Sequence, residues 1–414
     1  MGKLLKEKIN SVRPTKGDIA FLIVALALIS QDYIQNRIGV FSYYDEGLCL
    51  ILAGIAMSLF IYNRKFAVNK TLFCSGAAIF IYFVTTTLAS VWFRYQSVDT
   101  AAKASFLSVK WFLTFYAIEY LFKRGYIFYR KNTLYVVLIV WGIISNFYYL
   151  NNIRHLFDEK NYYNFLSPIY LCALSTAAIA LLMLDWAGSK VEWLCVALML
   201  ENLIFSTKAK GYASALISIV LFVWIIVWKH RLKVWHLIVV GIACIALVWD
   251  KIYFYYIFGA QHGFARATLL STGIEILRDN FPFGTGWGTY GSYYAQKEYS
   301  PVYVLYGLDS HSELGRNSQF TYSMDCYLAS VMGESGFIGL IAITVFLLIL
   351  FFIVDKTYRV DRRIYAAGLI CLVYECITFL EESGFANPSQ ICIAIALGII
   401  VARGEKKRGN DDLL

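Results

Sequence analysis

The sequence predicts an all-α, polytopic membrane protein with about twelve transmembrane helices, and three features of its composition support this fold class. Hydrophobic residues make up 59% of the 414 residues and charged residues only 16%, whereas soluble domains carry about 25% charged residues. The apolar residues come in blocks of roughly 17–25, which is long enough to cross a bilayer. Only 5 prolines interrupt the chain. A soluble enzyme, a disordered chain and a coiled coil are therefore excluded.

The apolar blocks define the predicted spans. They lie near residues 18–34, 47–62, 72–92, 104–122, 133–150, 165–184, 191–205, 211–228, 235–249, 336–354, 364–380 and 388–402. Nine of them fall in residues 1–249 and three in residues 324–402. Residues 250–323 form a predicted extracytoplasmic loop, and residues 403–414 a predicted cytoplasmic tail.

The distribution of cations predicts the orientation of these spans. About two thirds of the 37 Lys and Arg residues lie in alternate connections, including both ends of the chain. The positive-inside rule then places both termini in the cytoplasm. The net charge of +9 is accordingly a topology signal, and we expect no nucleic-acid partner. The 9 cysteines lie almost entirely in apolar blocks, so we expect buried thiols rather than disulfides or metal ligands.

The loop of residues 250–323 contains a predicted helix over residues 266–279. At 100° per residue its apolar side chains share one face, which predicts a helix lying on or near the membrane. Arg278 falls on the polar face and is expected to be solvated. Arg266 falls on the apolar face at the helix start, where it is costly unless it meets an anion or extends to the interface.

A glycine-rich segment, residues 281–291, follows this helix. Its Gly-x-Gly-x-Gly pattern is not a nucleotide loop, because no βαβ unit surrounds it and it lies on the outer face. The glycines are expected to allow tight turns near a substrate. The aromatic residues after it would stack on sugar rings or form an interfacial belt, and the sequence leaves both open.

A second cationic spot precedes the span that begins at Gly211. Lys208 and Lys210 lie at the N-terminal end of that helix, where its dipole repels them unless an anion is bound. The alternative is two lysines that extend to the interface at the end of a span, with Lys208 pairing with Glu201.

Lys110 is placed inside a predicted span, roughly 9 Å from its outer end at about 1.5 Å per residue. An intramembrane charge is a functional hypothesis by default. The alternative is a structural ion pair with Glu119, Glu201 or Glu375.

Two pairs of short motifs occur in a fixed order along the chain. The first pair is Lys210-Gly211 at the start of a span, and Arg266 followed by Asn280-Phe-Pro-Phe-Gly-Thr-Gly-Trp-Gly288 in the loop.

The second pair comes later in the sequence. Asp325 is followed by Gly336 and Gly339, and Asn387-Pro388 opens the last span. With the span count and the large late loop, these motifs resemble the O-antigen ligase and Wzy-type polymerase superfamily. Ligases have His-Asn where this chain has Asp325-Cys326, so the resemblance implies a polymerase first.

The resemblance implies a fold, a reaction and partners. The fold is a GT-C-like membrane bundle in the bacterial cytoplasmic (inner) membrane with its active site on the outer face. The reaction is the transfer of a growing glycan from undecaprenyl diphosphate to the non-reducing end of a new lipid-linked repeat, with inversion. The expected partners are undecaprenyl-diphosphate-linked oligosaccharide, membrane lipid, a flippase and a chain-length regulator.

This reaction needs cations for the leaving diphosphate and a proton acceptor. Guanidinium and ammonium groups bind phosphate strongly. The predicted diphosphate-binding residues are Arg266, Lys210, Lys208 and Lys110. No metal or other cofactor is expected, since the loop lacks a DxD pair.

The general base is predicted to be Asp325 or, second, His311. The alternative for Asp325 is a helix N-cap.

The predicted substrate-binding residues are Gly284, Gly286, Trp287 and Tyr290. Three rival functions stay open: a ligase that moves finished glycan to another carrier, a flippase for lipid-linked oligosaccharide, and a structural scaffold.

Overall fold

A computed structural model describes six stretches of the chain and a few residues between them. The stretches are residues 15–38, 43–63, 69–151, 167–232, 249–318 and 322–411. The additional residues are 236, 239, 242, 245 and 246. The predicted span of residues 235–249 falls mostly outside the described residues.

The described part of the chain is helical and contains no β-strand. Its longer helices are labelled α1 to α12 in chain order. They are α1 (Lys16–Arg37), α2 (Tyr44–Asn63), α3 (Lys70–Phe93), α4 (Val98–Lys123), α5 (Lys131–Asn151), α6 (Pro168–Leu184), α7 (Lys190–Phe205), α8 (Ala209–Leu221), α9 (Ala265–Asp279), α10 (Gly336–Thr357), α11 (Arg362–Glu381) and α12 (Ile391–Asp411).

Within the described ranges, eight helical segments are long and apolar enough to cross a membrane. They comprise α1, α2, α3, α5, α8 with its continuation to Val227, α10 with the turns before it from Tyr327, α11 and α12. The prediction of an α-helical polytopic membrane protein is confirmed at this level. The predicted spans of residues 104–122, 165–184 and 191–205 are the helices α4, α6 and α7, which are more charged or shorter.

Local sequence explains where several helices begin. Thr15 and Asp18 form a reciprocal capping box at α1, and Ser189 with Glu192 forms another at α7. Such boxes satisfy the otherwise unpaired first N–H groups of a helix. α8 is different, because its N-cap is Lys208 and no side chain caps it.

Burial separates central helices from peripheral ones. Helix α12 packs along α4 and α6, and α10 packs along α3. The apolar window of α12 is 83% buried, whereas those of α1 and α2 are 28% buried. Exposed apolar faces on peripheral helices are what lipid contact requires. Two of the eight described cysteines, Cys74 and Cys376, lie on such exposed surface, so the expectation of buried thiols is wrong for them.

Residues 249–318 pack at one end of the bundle, which we call the loop end. Helical turns run from Trp249 to His262, and α9 and two short helices, Tyr293–Lys297 and Pro301–Leu305, follow. They enclose a small core of their own with Leu269 and Ile276 of α9 at 0% exposure.

Helix α9 matches the predicted helix almost residue for residue, but its faces match only in part. The apolar Ile274 is 52% exposed, and the polar Thr272 is buried. Arg278 is exposed as expected. Contacts with the rest of the loop, and not only the apolar periodicity, therefore determine which side chains of α9 are buried.

Candidate functional site

Arg266 and Asp325 form an ion pair at the loop end. Arg266 is the second residue of α9, and its Nη2 and Nε lie 3.1 and 3.3 Å from Oδ2 of Asp325. The guanidinium also lies over the ring of Tyr255, 4.3 Å from its centre. The side chains of Arg266 and Asp325 are 18% and 30% exposed. The predicted cation and the predicted base are therefore in direct contact.

The carboxyl group of Asp325 is not a helix cap. The following short helix has Cys326 as its N-cap, without a side-chain hydrogen bond, so the capping alternative is wrong. Burial raises the pKa of Asp325 above its ordinary value, and the opposing charge of Arg266 offsets only part of this effect. The group is thus more basic than a solvated aspartate.

Lys210 lies in the first turn of α8 and is 0% exposed. Its ammonium forms an ion pair with Glu382, which follows α11. The other oxygen of that carboxylate accepts a hydrogen bond of 3.1 Å from Asn387. The idea that Lys210 extends to the membrane interface is therefore wrong, since its charge is held inside the protein.

Lys208 is half-buried beside this pair and forms no ion pair within the described residues. Its charge acts on the carboxyl group of Asp325 and lowers the pKa of that group. Lys208 and Arg266 therefore belong to one electrostatic cluster. The alternative pairing of Lys208 with Glu201 is not seen.

A cavity of about 430 Å³ opens between α8, α11 and the loop, and we call it the Lys210 cavity. Its lining residues are Ala209, Lys210, Ala213, Ile245, Ile252, Tyr255, Tyr256, Arg266, Leu270, Ile377, Leu380 and Glu381. Most of this wall is apolar, and two cations face one carboxylate within it. The arrangement suits an anionic group attached to a long apolar chain.

A second cavity of about 400 Å³ lies nearby, and we call it the Tyr293 cavity. It is lined by Gln35, Tyr43, Asp45, Glu46, Ala104, Leu107, Ser108, Gly291, Ser292, Tyr293, Tyr294, Met324, Tyr327, Ser330, Ser383, Ala386, Asn387 and Pro388. Its wall combines tyrosine rings with carboxylate, amide and hydroxyl groups. That mixture is typical of sites that hold hydroxyl-rich ligands.

Two chain segments that are hydrogen-bonded to each other lie beside both cavities. The N–H of Tyr327 donates to the carbonyl of Glu382 at 2.8 Å, and the hydroxyl of Ser383 donates to the carbonyl of Met324 at 3.2 Å. Met324 lines the Tyr293 cavity, and the next residue, Asp325, contacts Arg266 in the Lys210 cavity. Asp325 lines neither cavity itself, but its neighbour Met324 lines one and its ion-pair partner Arg266 lines the other.

Lys110 lines neither cavity, although both of its ion-pair partners line the Tyr293 cavity. It is 0% exposed, and its ammonium contacts Asp45 and Glu46, the latter at 3.2 Å. Two carboxylates already surround the one charge. The structural-pair alternative is therefore right in kind, while diphosphate binding by Lys110 stays a prediction that its two carboxylate partners disfavour. Its partners come from α2 rather than from the glutamates expected.

The glycine-rich segment packs into a break in the helix before α10. The N–H groups of Thr285 and Gly286 donate to the carbonyls of Gly333 and Glu334, both at 2.9 Å. A Cβ on Gly284 would lie 2.3 Å from the backbone of Glu334. Two of the motifs therefore meet in space because their glycines allow backbone to touch backbone.

The other three predicted substrate-binding residues also face the protein interior. Trp287 donates from its backbone to Ser90 at 2.7 Å and from its ring to Thr87 at 3.0 Å. Gly286 has a φ of +99° and a Cβ there would meet Ser90 at 2.6 Å. Tyr290 is fully buried and donates to the carbonyl of Leu269 at 2.7 Å.

None of these four residues lines either cavity. Their contacts fix the loop to the bundle, and the residues that line the two cavities are others.

Glu334 organises this segment and was missed from the sequence. Its buried carboxylate accepts hydrogen bonds from the hydroxyl of Ser292 at 2.6 Å and from the N–H of Tyr290 at 3.3 Å. The signal that was present is an acidic residue between Gly333 and Gly336 in an apolar run. Such a group is costly to bury unless the fold supplies donors.

His311 stabilises the loop, and its hydrogen bonds are with residues other than Asp325. Its Nδ1 accepts from the N–H groups of Glu313 and Leu314 at 3.1 and 3.3 Å, and its Nε2 contacts Thr268 at 3.2 Å. Both ring nitrogens are engaged, and the residue lines neither cavity. Glu313 in turn accepts from the first N–H of α9 at 2.7 Å. The structure gives His311 a positioning role.

Neither a metal-binding group among the described residues nor a match to a known protein indicates the function. Within the described residues, no group of three His, Cys, Asp or Glu side chains could hold a metal ion. No protein-family model and no curated protein sequence matches the chain. The function is therefore argued from the geometry of the two cavities.

Proposed function

We propose that the protein is a Wzy-type polysaccharide polymerase. It transfers a growing glycan from undecaprenyl diphosphate to a new lipid-linked repeat, for O-antigen, capsule or exopolysaccharide. The observation that supports this most is the Lys210 cavity, where Arg266 and Lys210 line a mostly apolar space together with one carboxylate, that of Glu381. In this proposal the bundle is a GT-C-like fold of twelve spans with its loop end outside the bacterial cytoplasmic membrane.

The Lys210 cavity holds the donor in this proposal. The prenyl chain lies against Ile377, Leu380 and Leu270, and the diphosphate meets Arg266 and Lys210. A guanidinium has five N–H donors, and Asp325 engages two of its nitrogens, which leaves donors for phosphate oxygens. Hydrogen bonds from both cations grow stronger as charge develops on the leaving diphosphate. One such preorganised donor is worth about 3 kcal/mol of the barrier.

The Tyr293 cavity holds the acceptor. Tyr43, Tyr293 and Tyr294 offer aromatic faces to sugar rings, while Asn387 and Ser383 offer hydrogen bonds. The two cavities together accommodate two long substrates, whose reactive ends meet beside Asp325 in this proposal.

Asp325 accepts the proton of the acceptor hydroxyl. That oxygen attacks the anomeric carbon from the face opposite the diphosphate, the new glycosidic bond forms, and the bond from carbon to phosphate oxygen breaks with inversion. The electron pair of the broken bond leaves on the diphosphate, where Arg266 and Lys210 stabilise it. The protein's own cations take the part that a divalent metal plays in many sugar transferases.

A ligase-type transfer would use the same donor cavity and differ only in its acceptor. A flippase for lipid-linked oligosaccharide would use the Lys210 cavity as a headgroup site without the proton acceptor. The three activities leave different glycans outside the cell, so one assay separates them.

The test is the glycan ladder of the host after deletion of the gene. Loss of a polymerase leaves single repeats on the carrier, loss of a ligase leaves long chains on the wrong carrier, and loss of a flippase leaves neither outside. Arg266→Ala should fail to restore the ladder. Arg278→Ala, an exposed arginine at the other end of the same helix, should restore it at equal membrane level. A full ladder with Arg266→Ala contradicts the proposal.

A further inference from the structure

The end of the bundle opposite the loop contains a third and larger cavity, of about 800 Å³, which we call the Arg362 cavity. It lies where the connection between α10 and α11 meets the ends of α6, α8 and α12. Its lining residues are Trp186, Ile226, Tyr358, Arg359, Val360, Asp361, Arg362, Arg363 and Lys407. Four cationic side chains and one carboxylate therefore converge on one space.

One carboxylate serves two of these cations. Asp361 accepts from Arg363 at 3.2 Å and from Lys407 at 2.5 Å. These hydrogen bonds outweigh the burial of Asp361 and lower its pKa below the ordinary value. Arg363 also donates to the carbonyl of Trp186 at 3.0 Å. These contacts hold the wall of the cavity in one arrangement.

Arg359 and Arg362 have no such partner. Neither forms an ion pair in the described part of the chain, although several cations at the same end do, among them Arg130 with Asp18 and Arg403 with Asp185. Arg362 is also the first residue of α11, where the helix dipole disfavours a cation. The described lining of the cavity thus carries three positive charges in excess of its one carboxylate.

The rest of the wall is apolar and aromatic. Trp186 packs against Trp193 and Phe222, with ring centres 5.0 Å apart in each case. Ile226 extends the same surface. A tryptophan beside cations at the end of a membrane bundle is the usual setting for a lipid headgroup with its chains against the protein.

We propose that the Arg362 cavity binds a phosphate-bearing anion, with an anionic phospholipid headgroup as the form that fits its apolar wall. Bound there, the phosphate bridges Arg359, Arg362 and Arg363, which lie in the connection between α10 and α11 and in the first turn of α11. The positive-inside rule explains why cations lie at one end of a bundle. It does not require two unpaired arginines to share one cavity with a tryptophan. This site is independent of the transfer reaction proposed above.

The test uses the full chain in phosphatidylcholine nanodiscs with a minor fraction of phosphatidylglycerol, followed by native mass spectrometry of retained lipid. Wild type should retain phosphatidylglycerol over phosphatidylcholine. The double variant Arg359→Gln with Arg362→Gln should lose about 30-fold in this preference, or about 2 kcal/mol at about 1 kcal/mol per cation.

The matched control removes two exposed cations at the same end that do not line the cavity, Arg124→Gln with Lys190→Gln. It should retain the lipid as wild type does. Equal loss in both double variants overturns the proposal, and so does a wild type that shows neither a preference for phosphatidylglycerol nor stabilisation by inorganic phosphate. Inorganic phosphate added to the detergent-solubilised protein distinguishes the two sources of the anion. If phosphate alone raises the melting temperature of wild type but not of the Arg359/Arg362 variant, the site is confirmed with free phosphate as its ligand.

Discussion

Two fully buried lysines, Lys110 and Lys210, lie at the same end of the bundle and differ in what surrounds them. Lys110 has two carboxylate neighbours, Asp45 and Glu46, and lines neither cavity. Lys210 has one ion-pair partner, Glu382, and lines a cavity with a second cation. A buried charge is therefore ambiguous by itself. The ratio of charges and the presence of a cavity decide whether a ligand is expected.

The largest expected effect comes from the carboxyl group of Asp325. Asp325→Asn should lower transfer by about 10²–10⁴-fold, because a general base typically contributes that much. The measurement is the initial rate of polymer formation by the purified protein on lipid-linked repeats. Asp309→Asn, an exposed carboxylate in the same loop, should keep the wild-type rate. A wild-type rate with Asp325→Asn removes Asp325 from the mechanism.

The same group predicts the pH dependence of the rate. The base acts when deprotonated, so the rate should fall as pH falls through a pKa above the ordinary value of 3.8. A carboxyl pKa that is raised by folding favours the folded state at low pH and disfavours it as pH rises through that pKa. Protonation of Asp325 should therefore lower the rate at acid pH without unfolding the protein. The residual rate of Asp325→Asn should not show this fall.

Lys110, which is paired with two carboxylates, should matter for stability. Lys110→Met leaves Asp45 and Glu46 buried without their counter-charge, which should cost about 3–5 kcal/mol of unfolding free energy. Adding Asp45→Asn should recover part of that loss. Lys103→Met removes an exposed pair with Asp99 on the same helix and should cost less than about 1 kcal/mol. Chemical unfolding in detergent measures both, and equal costs would contradict the assignment of Lys110 as structural.

Added side-chain volume in the glycine-rich segment should lower the stability of the protein. Gly284→Ala places a methyl group 2.3 Å from the backbone of Glu334, and overpacking of this kind costs about 1–3 kcal/mol. Gly54→Ala, in a helix with no atom within 4 Å of the new Cβ, should be neutral or slightly stabilising. If Gly284→Ala leaves stability unchanged but abolishes transfer, the segment contacts substrate after all.

The smallest expected effect concerns Lys208, the N-cap residue of α8, which lies two residues before Lys210. Lys208→Gln removes a repelled cation from the N-terminus of α8, which should raise stability by about 0.3–1 kcal/mol. It should also raise the KM for the lipid-linked donor a few-fold without changing kcat. A change of stability alone would limit the donor site to Arg266 and Lys210.

Periodicity and composition were sufficient to predict the helices, because lipid imposes one rule along the whole chain. The predicted span at residues 133–150 is the helix Lys131–Asn151, and the loop helix at residues 266–279 is Ala265–Asp279. Arg266 and Asp325 were each predicted from local position, and the structure joins them although 59 residues separate them.

The partners of buried charges could not be predicted in this way. Lys110 meets Asp45, which lies 65 residues earlier and just before the predicted start of its own span. Such pairs depend on which helices pack together, and a single sequence does not specify that packing. For the same reason, the close contacts of Gly284 with Glu334 and of Gly286 with Ser90 could not be predicted from the sequence.

The most direct measurement of the central claim is binding of undecaprenyl diphosphate to the purified protein. Wild type and Arg278→Ala should retain undecaprenyl diphosphate in native mass spectrometry, and undecaprenyl monophosphate more weakly. Arg266→Ala should lose at least about tenfold in affinity, since charge-assisted hydrogen bonds to phosphate are worth about 1.5–3 kcal/mol. If Arg266→Ala binds the diphosphate as wild type does, the Lys210 cavity is not the donor site.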